Sequence, residues 1–429
     1  MERQYKDSKI EWIGQIPMDW EITKLGSLYT QRYEKVSDKD YPPLSVTMQG
    51  ILPQLETAAK TEDGDNRKLV CKGDFAINSR SDRRGSCGIS PYDGSVSLIN
   101  TILKPRGEMN PFFYNWLFHT SLFADEFYKW GHGIVDDLWT TRWQEMKNIS
   151  VVTPSLEEQQ RIADYLNKKC AEIEELIELQ EQMIAQLTDY KQSVITEAVT
   201  KGLNPNATLV PSDVDWIEHI PLGWEIKPFK EIFRTGKGLS FTKADLVNEG
   251  VPVISYGQVH SKQNSGTRID DELIRFVPNE ITNGGDTSKV YVGDFIFADT
   301  SEDLDGCGNC VYVDKEIGLY AGYHSVVAHS KRKKSNLYLA YLFLTNCWRS
   351  QIRCRVSGIK VFSISQSIIK QATIILPPVE EQIAIATYLN KKCTEIDNLI
   401  AAKQQKIEML KDYKKSLIFE CVTGKKEIN

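Results

Sequence analysis

No stretch of this chain approaches the roughly 18 consecutive apolar residues that a membrane-spanning helix requires, and the opening MERQYKDSKIEW lacks the apolar stretch of a secretion signal. The expected location is the cytoplasm. Basic charge is also short. Lys and Arg number 52 against 58 Asp and Glu, a net charge of −6, whereas domains that hold nucleic acid unaided carry a basic excess that displaces phosphate counterions. If nucleic acid is the ligand, phosphate contacts must come from local basic patches or from a partner. The six histidines show no metal-ligand spacing, and no Gly-x4-Gly-Lys-Ser/Thr phosphate loop occurs; Gly236-Lys237-Gly238 is not one. Nine cysteines, an odd number spread over 429 residues, fit reduced thiols better than a disulfide framework.

What the chain does have is an internal copy of itself. The segment Glu157 to Thr200 returns as Glu380 to Thr423, matching at about half of its positions. Trp12-Ile13, Ile16-Pro17 and Trp20-Glu21 reappear at equal spacing as Trp216-Ile217, Ile220-Pro221 and Trp224-Glu225. Gly73-Asp74-Phe75 and Cys87-Gly88 recur as Gly293-Asp294-Phe295 and Cys307-Gly308. The order is block, helix, block, helix, so a single continuous α/β domain is excluded. Between these shared posts, residues 30 to 72 and 89 to 145 have little in common with 234 to 292 and 309 to 370. A common frame carries two different surfaces.

Each block reads as mixed α/β with short strands: Pro43 to Val46, Pro252 to Ser255, Val290 to Ala298, Gly318 to Ala328 and Thr373 to Leu376, with turns at Glu62-Asp63-Gly64-Asp65 and Asn283-Gly284-Gly285-Asp286. A helix is expected from Pro111 to Tyr128, with its counterpart from Asn336 to Arg353. The long repeated helices start after Pro154 and Pro377-Pro378, and their Glu-Glu pairs suit a first turn whose free N–H groups favour negative charge. Apolar residues then recur every three or four positions: Ile162, Leu166, Ile173, Ile177, Ile184, Leu187, Val194 and Ala198 in the first, Ile385, Leu389, Ile396, Ile400, Ile407, Leu410, Leu417 and Cys421 in the second. Such a stripe, sustained along helices of roughly 65 Å at 1.5 Å per residue, is a coiled-coil seam. Two equal seams can bury each other antiparallel, which sets the blocks at opposite ends of a strut. Matching Cys170 and Cys393 fit as small core residues.

Three features together resemble the specificity subunit of type I restriction-modification systems: the leads Thr153-Pro154-Ser155-Leu156-Glu157-Glu158-Gln159 and Leu376-Pro377-Pro378-Val379-Glu380-Glu381-Gln382, the downstream Tyr165-Leu166-Asn167-Lys168-Lys169 and Tyr388-Leu389-Asn390-Lys391-Lys392, and the Trp-Ile, Ile-Pro, Trp-Glu opening of each block. The resemblance covers essentially the whole chain. It implies an α+β protein: two mixed α/β target recognition domains (residues 1–153 and 204–376) separated by two long helical segments (154–203 and 377–429) that form an antiparallel coiled coil, related by a pseudo-two-fold internal repeat. It further implies a subunit without catalysis of its own that binds double-stranded DNA and docks two methyltransferase subunits, which hold S-adenosylmethionine and methylate adenine; a restriction subunit is the further partner that such assemblies admit. On the helices the docking positions are Tyr165, Leu166, Lys169, Tyr190, Tyr388, Leu389, Lys392 and Tyr413. Independently of the family, duplex DNA has a local dyad that suits a pseudo-symmetric reader. Because the blocks differ, the half-sites should differ too.

Bases are read by donors and acceptors at their edges, arginine to guanine and asparagine or glutamine to adenine above all. In the first block the strongest candidate is Asn78, Ser79, Arg80, Ser81, Arg83 and Arg84, directly after the shared Gly-Asp-Phe strand; Gln49, His132, Thr141 and Arg142 stand in or near other loops. The second block offers an acidic stretch there, Asp299-Thr300-Ser301-Glu302-Asp303, of which Thr300 and Ser301 are candidates, together with Lys237, Tyr256, Gln258, His260, Tyr323, His324 and Lys360. An acidic loop would accept from amino groups such as that of cytosine. The arginines fit a solvated charged turn as well as a base contact, the other loop residues fit a structural or solvated role better, and Lys331-Arg332-Lys333-Lys334 is at most a phosphate contact.

Other chemistry is weak. Cys307-Gly308-Asn309-Cys310 has zinc-ribbon or redox spacing but no second pair, and the repeat aligns it with Cys87 and Ser90. Asn110-Pro111-Phe112-Phe113 is superficially like the Asn-Pro-Pro-Tyr site of adenine methyltransferases, yet it lacks the second proline and a glycine-rich cofactor loop. No metal or cofactor of its own is expected. Two alternatives stay open: a single-chain methyltransferase or nuclease, which would act without a partner, and a coiled-coil scaffold bridging proteins, which would bind DNA without sequence preference.

Overall fold

The structure is a computed structural model that describes residues 3–54, 64–133, 139–332 and 336–428. The Glu62-Asp63 part of one expected turn and the Lys333-Lys334 end of the basic run lie outside the described residues. Two compact units are present, residues 1–181 with 403–429 and residues 182–402. Each therefore contains one block, one half of the first long helix and one half of the second.

The frame of both blocks is a four-stranded antiparallel sheet with the same strand order. In unit one the order is Cys87–Ile89, Phe75–Asn78, Asn100–Pro105, Tyr29–Gln31; in unit two it is Cys310–Tyr312, Phe295–Ala298, Ser325–Ser330, Phe233–Lys237. The strand after the Trp-Glu motif pairs with the strand leading into the long helix, Glu21–Lys24 with Ser150–Thr153 and Glu225–Pro228 with Thr373–Leu376. The second sheets differ: Gly94–Val96, Arg67–Val70 and Lys35–Val36 are antiparallel, whereas Val251–Ile254 has an antiparallel neighbour in Arg275–Val277 and a parallel one in Tyr320–Ala321.

The register corrects one alignment. Cys87 pairs with Ile77, and it is Cys310, not Cys307, that pairs with the equivalent Phe297. The loop between these strands is three residues longer in unit two, so equal spacing in sequence matched a strand residue to a loop residue. Asn110 is likewise structural: its side chain accepts from Phe112 N at 2.9 Å and caps the helix that Pro111 opens.

The helix expected from Pro111 to Tyr128 is two, Pro111–Phe118 and Ser121–Lys129, and its counterpart is Leu337–Phe343 and Asn346–Arg353. A buried threonine makes both breaks. Thr120 Oγ1 donates to Leu117 O at 2.7 Å and accepts from Phe123 N at 3.2 Å; Thr345 Oγ1 repeats this with Leu342 O at 2.6 Å and Trp348 N at 3.3 Å. A hydroxyl that ends one helix and caps the next turns the chain there. Two expected strands also shorten. Val290 to Ala298 keeps only Phe295–Ala298, because Asp294 accepts from Tyr291 N and makes a turn, and Gly318 to Ala328 divides into Tyr320–Ala321 and Ser325–Ser330.

The Gly-Asp-Phe repeat is thereby explained. Gly73 and Gly293 adopt φ of 90° and 99°, Asp74 and Asp294 close the turn from Cys71 N and Tyr291 N, and Phe75 and Phe295 enter the core. Asp74 is held by Arg32 at 2.7 Å, but Asp294 by His329 Nδ1 at 2.9 Å. The same carboxylate thus faces a permanent cation in unit one and a titratable one in unit two. Asp294 raises the His329 pKa, its hydrogen bond being the main cause. A raised folded pKa means that this stabilisation is complete below the unfolded value of about 6.5 and is lost as pH rises through the folded value. Melting temperatures measured between pH 6 and 9 should therefore fall with pH in the wild type and fall less in His329→Gln; parallel curves would refute the coupling.

The long helices run Leu156–Lys201 and Val379–Val422. None of the sixteen seam residues is exposed. Within unit one the helices are antiparallel, with Glu174 paired to Lys414, and Ile162, Leu166, Cys170, Leu417 and Cys421 share one core with Trp20, Phe75 and Phe118. Within unit two Lys191 meets Asp397 at 2.7 Å, and Ile195, Ala198, Ile385, Leu389 and Cys393 join Phe295, Phe343 and Trp348. The seam and the block core are one hydrophobic body in each unit. No helix among the described residues is long and apolar enough to cross a membrane.

Candidate nucleic-acid interface

The loop that follows the second strand of the four-stranded sheet differs in length and residue content between the two units, so alike in frame. In unit one it begins at Asn78, whose Oδ1 accepts from Arg80 N at 3.0 Å, and Ser79, whose Oγ lies 2.8 Å from Thr101 Oγ1. Ser79 O accepts from Thr141 N at 2.9 Å, Arg80 forms a β-bridge with Thr140, and Thr140 another with His132. The expected loop and residues 131–133 and 139–142 are thus one surface, carrying exposed Arg80, Arg83, His132 and Arg142. Ser81 begins a 3-10 turn, Ser81–Arg83, but its side chain is outside the described set. Gln49 is exposed in the turn between Leu44–Thr47 and Gly50–Pro53, a hairpin seated where Gly88 leaves room for Gly50.

The arginines are not equivalent. The Arg84 guanidinium lies 3.9 Å from the centre of the Tyr128 ring and donates to Asp125 at 2.8 Å, and Tyr128 packs on Trp139 at 5.6 Å. Arg83 Nε is 3.6 Å from Asp82. Arg80 has no partner for its guanidinium among the described residues.

In unit two Thr300–Ser301 pairs with Phe362–Ser363. His260 Nε2 donates to Thr300 O at 2.8 Å, which leaves Nδ1 to accept from Asn309 at 3.2 Å. The Tyr256 ring packs on Tyr323 at 5.7 Å and on His324 at 5.6 Å; His324 has φ of 53° and stands 3.3 Å from Asp299. Tyr256, His260, Thr300, Ser301 and His324 line one cavity of about 700 Å³ with Glu302, Asp303 and Asp305. Its character is acidic and aromatic. Lys360 is exposed on the neighbouring loop, and Lys237 is exposed at the end of its strand. Gln258 turns inward, Oε1 accepting from Ser255 N at 3.1 Å.

Several candidates are corrected by burial. Asn78, Ser79, Thr141 and Ser301 are buried, and Thr141 Oγ1 donates to Phe127 O at 2.8 Å while Ser301 Oγ donates to Asp303 O at 2.7 Å. Their side chains bond to the protein itself, so they hold loops in place. On the helices Leu166 and Leu389 are fully buried in the seam and unavailable to a partner. Tyr190, Tyr388 and Tyr413 are exposed, Lys392 lies 5.9 Å from the Tyr190 ring, half-buried Tyr165 has Lys426 at 5.8 Å, and Lys169 pairs with Glu172 at 2.7 Å.

Sequence reasoning missed Arg349 and Asn309, which line the acidic cavity, Tyr128, which lies against Arg84, and Trp139, which packs on Tyr128. Arg349 gives its Nε proton to Phe343 O at 2.8 Å, and burial pulls its pKa down. Sequence spacing held no signal for it, since it reaches the cavity from a helix.

The family described as Type I restriction modification DNA specificity domain matches the chain twice, at residues 17–188 and 221–409. The type I restriction enzyme MjaVIII specificity subunit of Methanocaldococcus jannaschii is 24% identical over 96% of this chain and 93% of its own length. The EcoKI specificity subunit of Escherichia coli is 21% identical over 48% of this chain and 44% of its own. A chain from a solved structure concerned with complex assembly and conformational transition of the type I R-M system superposes with a TM-score of 0.71 at 14% identity, covering 95% of this chain and 98% of that one. The HsdS subunit from Thermoanaerobacter tengcongensis gives 0.54 at 15% identity, with 95% and 98% covered.

Proposed function

Because the chain belongs to the type I restriction modification DNA specificity family, we propose that it is the non-catalytic subunit that reads a bipartite, asymmetric duplex site, one half-site per block, and that its long helices set the unread gap. One observation carries the asymmetry. The two units share strand order, the capping threonine and the Gly-Asp-Phe turn, yet at the same loop one offers exposed arginines and the other an acidic, aromatic cavity. Donors of that kind suit guanine, and carboxylates suit the amino groups of cytosine.

We also propose that the helices dock two methyltransferase subunits, which would hold S-adenosylmethionine and close around the duplex, offsetting the net charge of −6. In support, Leu176, Leu179, Ile383, Leu399 and Met409 are large apolar side chains exposed along the two helices, beside Tyr190, Tyr388 and Tyr413. A methyltransferase subunit that covers them would bury this apolar area, which is how exposed apolar patches act as partner sites. A restriction subunit would join through the same assembly.

Methylation mapping of host DNA with and without this gene tests the reading. The expected result is one split consensus with unlike halves that disappears with the gene. A single continuous or palindromic consensus would count against it. Exchanging residues 1–153 for those of a relative should alter one half-site only.

A further inference from the structure

We propose that Arg80 is the specificity-determining residue of the first half-site, reading a guanine through its O6 and N7 acceptors, and that Arg84 is a positioning residue for the same loop. The inference rests on the DNA-reading role above and names the contact that role requires.

Three exposed arginines stand within five residues, and the structure separates them by what they already hold. Arg84 is spent: its guanidinium lies against Tyr128 and donates to Asp125 at 2.8 Å. Arg83 is drawn towards Asp82 at 3.6 Å. The Arg80 side chain is exposed and has no partner among the described residues.

Its backbone, by contrast, is fixed on every side. Arg80 N donates to Asn78 Oδ1 at 3.0 Å, its carbonyl accepts from Arg83 N at 3.4 Å, and it bridges Thr140. The preceding Ser79 is buried and tied to Thr101 at 2.8 Å and to Thr141 N at 2.9 Å. A fixed Cα with a free, planar five-donor fork is what bidentate base reading asks for, because little backbone order remains to be bought at binding. Arginine to guanine is the commonest specific contact of this geometry. Phosphate contact asks less, since a point charge on a mobile stem serves it.

The repeat supplies an internal comparison. Arg80 bridges Thr140 as Thr300 pairs with Ser363, so Thr300 is the equivalent residue of unit two. A threonine whose carbonyl is held by His260 cannot present a guanidinium fork. The contact therefore belongs to one half-site alone.

The test is methylome sequencing of plasmid DNA from cells expressing the chain with its methyltransferase partner. With Arg80→Ala, one position of one half-site should relax from guanine to any base, a loss of about ten- to a hundredfold in discrimination, while the other half-site and the gap stay unchanged. Arg80→Lys should relax the same position, since it keeps the charge and loses the fork. Arg84→Ala should retain the consensus and lower methylation at all sites. If Arg80→Lys restores the wild-type consensus, or if both variants keep guanine, Arg80 is a phosphate contact or a bystander and the proposal is wrong. If Arg80→Ala abolishes methylation, binding of the purified complex to duplexes with and without that guanine decides: equal binding supports the proposal, retained preference overturns it. Absence of any split consensus in the wild type would instead remove the DNA-reading role on which the proposal rests.

Discussion

Trp20→Ala is expected to cost the chain about 3–5 kcal/mol, the usual range for deleting a fully buried large aromatic, and to cost more than the same change at Trp224. Trp20 is 0% exposed, meets Phe113 edge-on at 6.3 Å, and its Nε1 donates to Glu158 Oε2 at 2.9 Å. Glu158 is itself buried at the start of the first long helix, and its other oxygen pairs with Arg3 at 2.7 Å. Removing the indole leaves both a cavity and a buried carboxylate short of one donor, and the second loss adds to the first. Trp224 makes the same bond to Glu381 at 3.0 Å, but it is 7% exposed and Glu381 is half-buried, so water can replace the donor. Trp20→Phe keeps most of the packing and loses the N–H, for an expected cost of about 1–3 kcal/mol. Urea unfolding of the three variants gives the order: Trp20→Ala weakest, then Trp224→Ala, with Trp20→Phe above Trp20→Ala. Equal midpoints for Trp20→Ala and Trp20→Phe would mean that the hydrogen bond, and not the packing, dominates.

This bond also marks the limit of what the sequence could reveal. The Trp-Glu openings and the Glu-Glu helix starts are both visible as repeated motifs, and in sequence the carboxylates show only favourable charge in a helix first turn. That reading holds for Glu157 and Glu380, which are exposed, but Glu158 and Glu381 serve a tryptophan more than 130 residues away. Periodicity reports which face of a helix is apolar and not what lies against it. The same reason explains why the seam, the frame and the helix ends were legible while the loops were not. The stripe from Ile162 to Ala198 needs only local spacing, whereas the unit-two cavity is assembled from residues 256 to 361, and only tertiary contacts bring Arg349 and His260 to the same lining. Loop position alone also could not say which way a polar side chain points. Asn78, Ser79, Thr141 and Ser301 turn inward to pin the backbone, so that neighbours such as Arg80 can face outward. Leu166 and Leu389 follow one rule on the helices: a seam residue is already occupied, and the adjacent tyrosines, Tyr165 and Tyr388, point to the more accessible face.

Shortening the two long helices together should alter the gap and spare both half-sites. The choice of segment follows from the ion pairs. Glu174 with Lys414 holds the helix pair in unit one, and Lys191 with Asp397 holds it in unit two. Met183 to Asp189 and Leu399 to Gln405 fall between these pairs, and removing seven residues from each returns the seam to the same phase, as a heptad must. The change removes about 10 Å of helix, against a rise of about 3.4 Å per base pair, so a gap one to three base pairs shorter is expected. Rotation of the duplex by each lost pair opposes a full linear shift, which is why the lower end of that range is included. Deleting only one of the two heptads is a different experiment. The remaining helix keeps its length, one set of pairs slips by two turns, and apolar seam residues such as Ile173 or Ile396 would be moved out of register, at a cost of several kcal/mol by the usual scale for buried aliphatic groups. Methylome sequencing should therefore show a shorter gap with unchanged half-sites for the double deletion, and little or no methylation for either single deletion. An unchanged gap in an active double deletion would refute the spacer role while leaving the reading of each half-site by its own block intact.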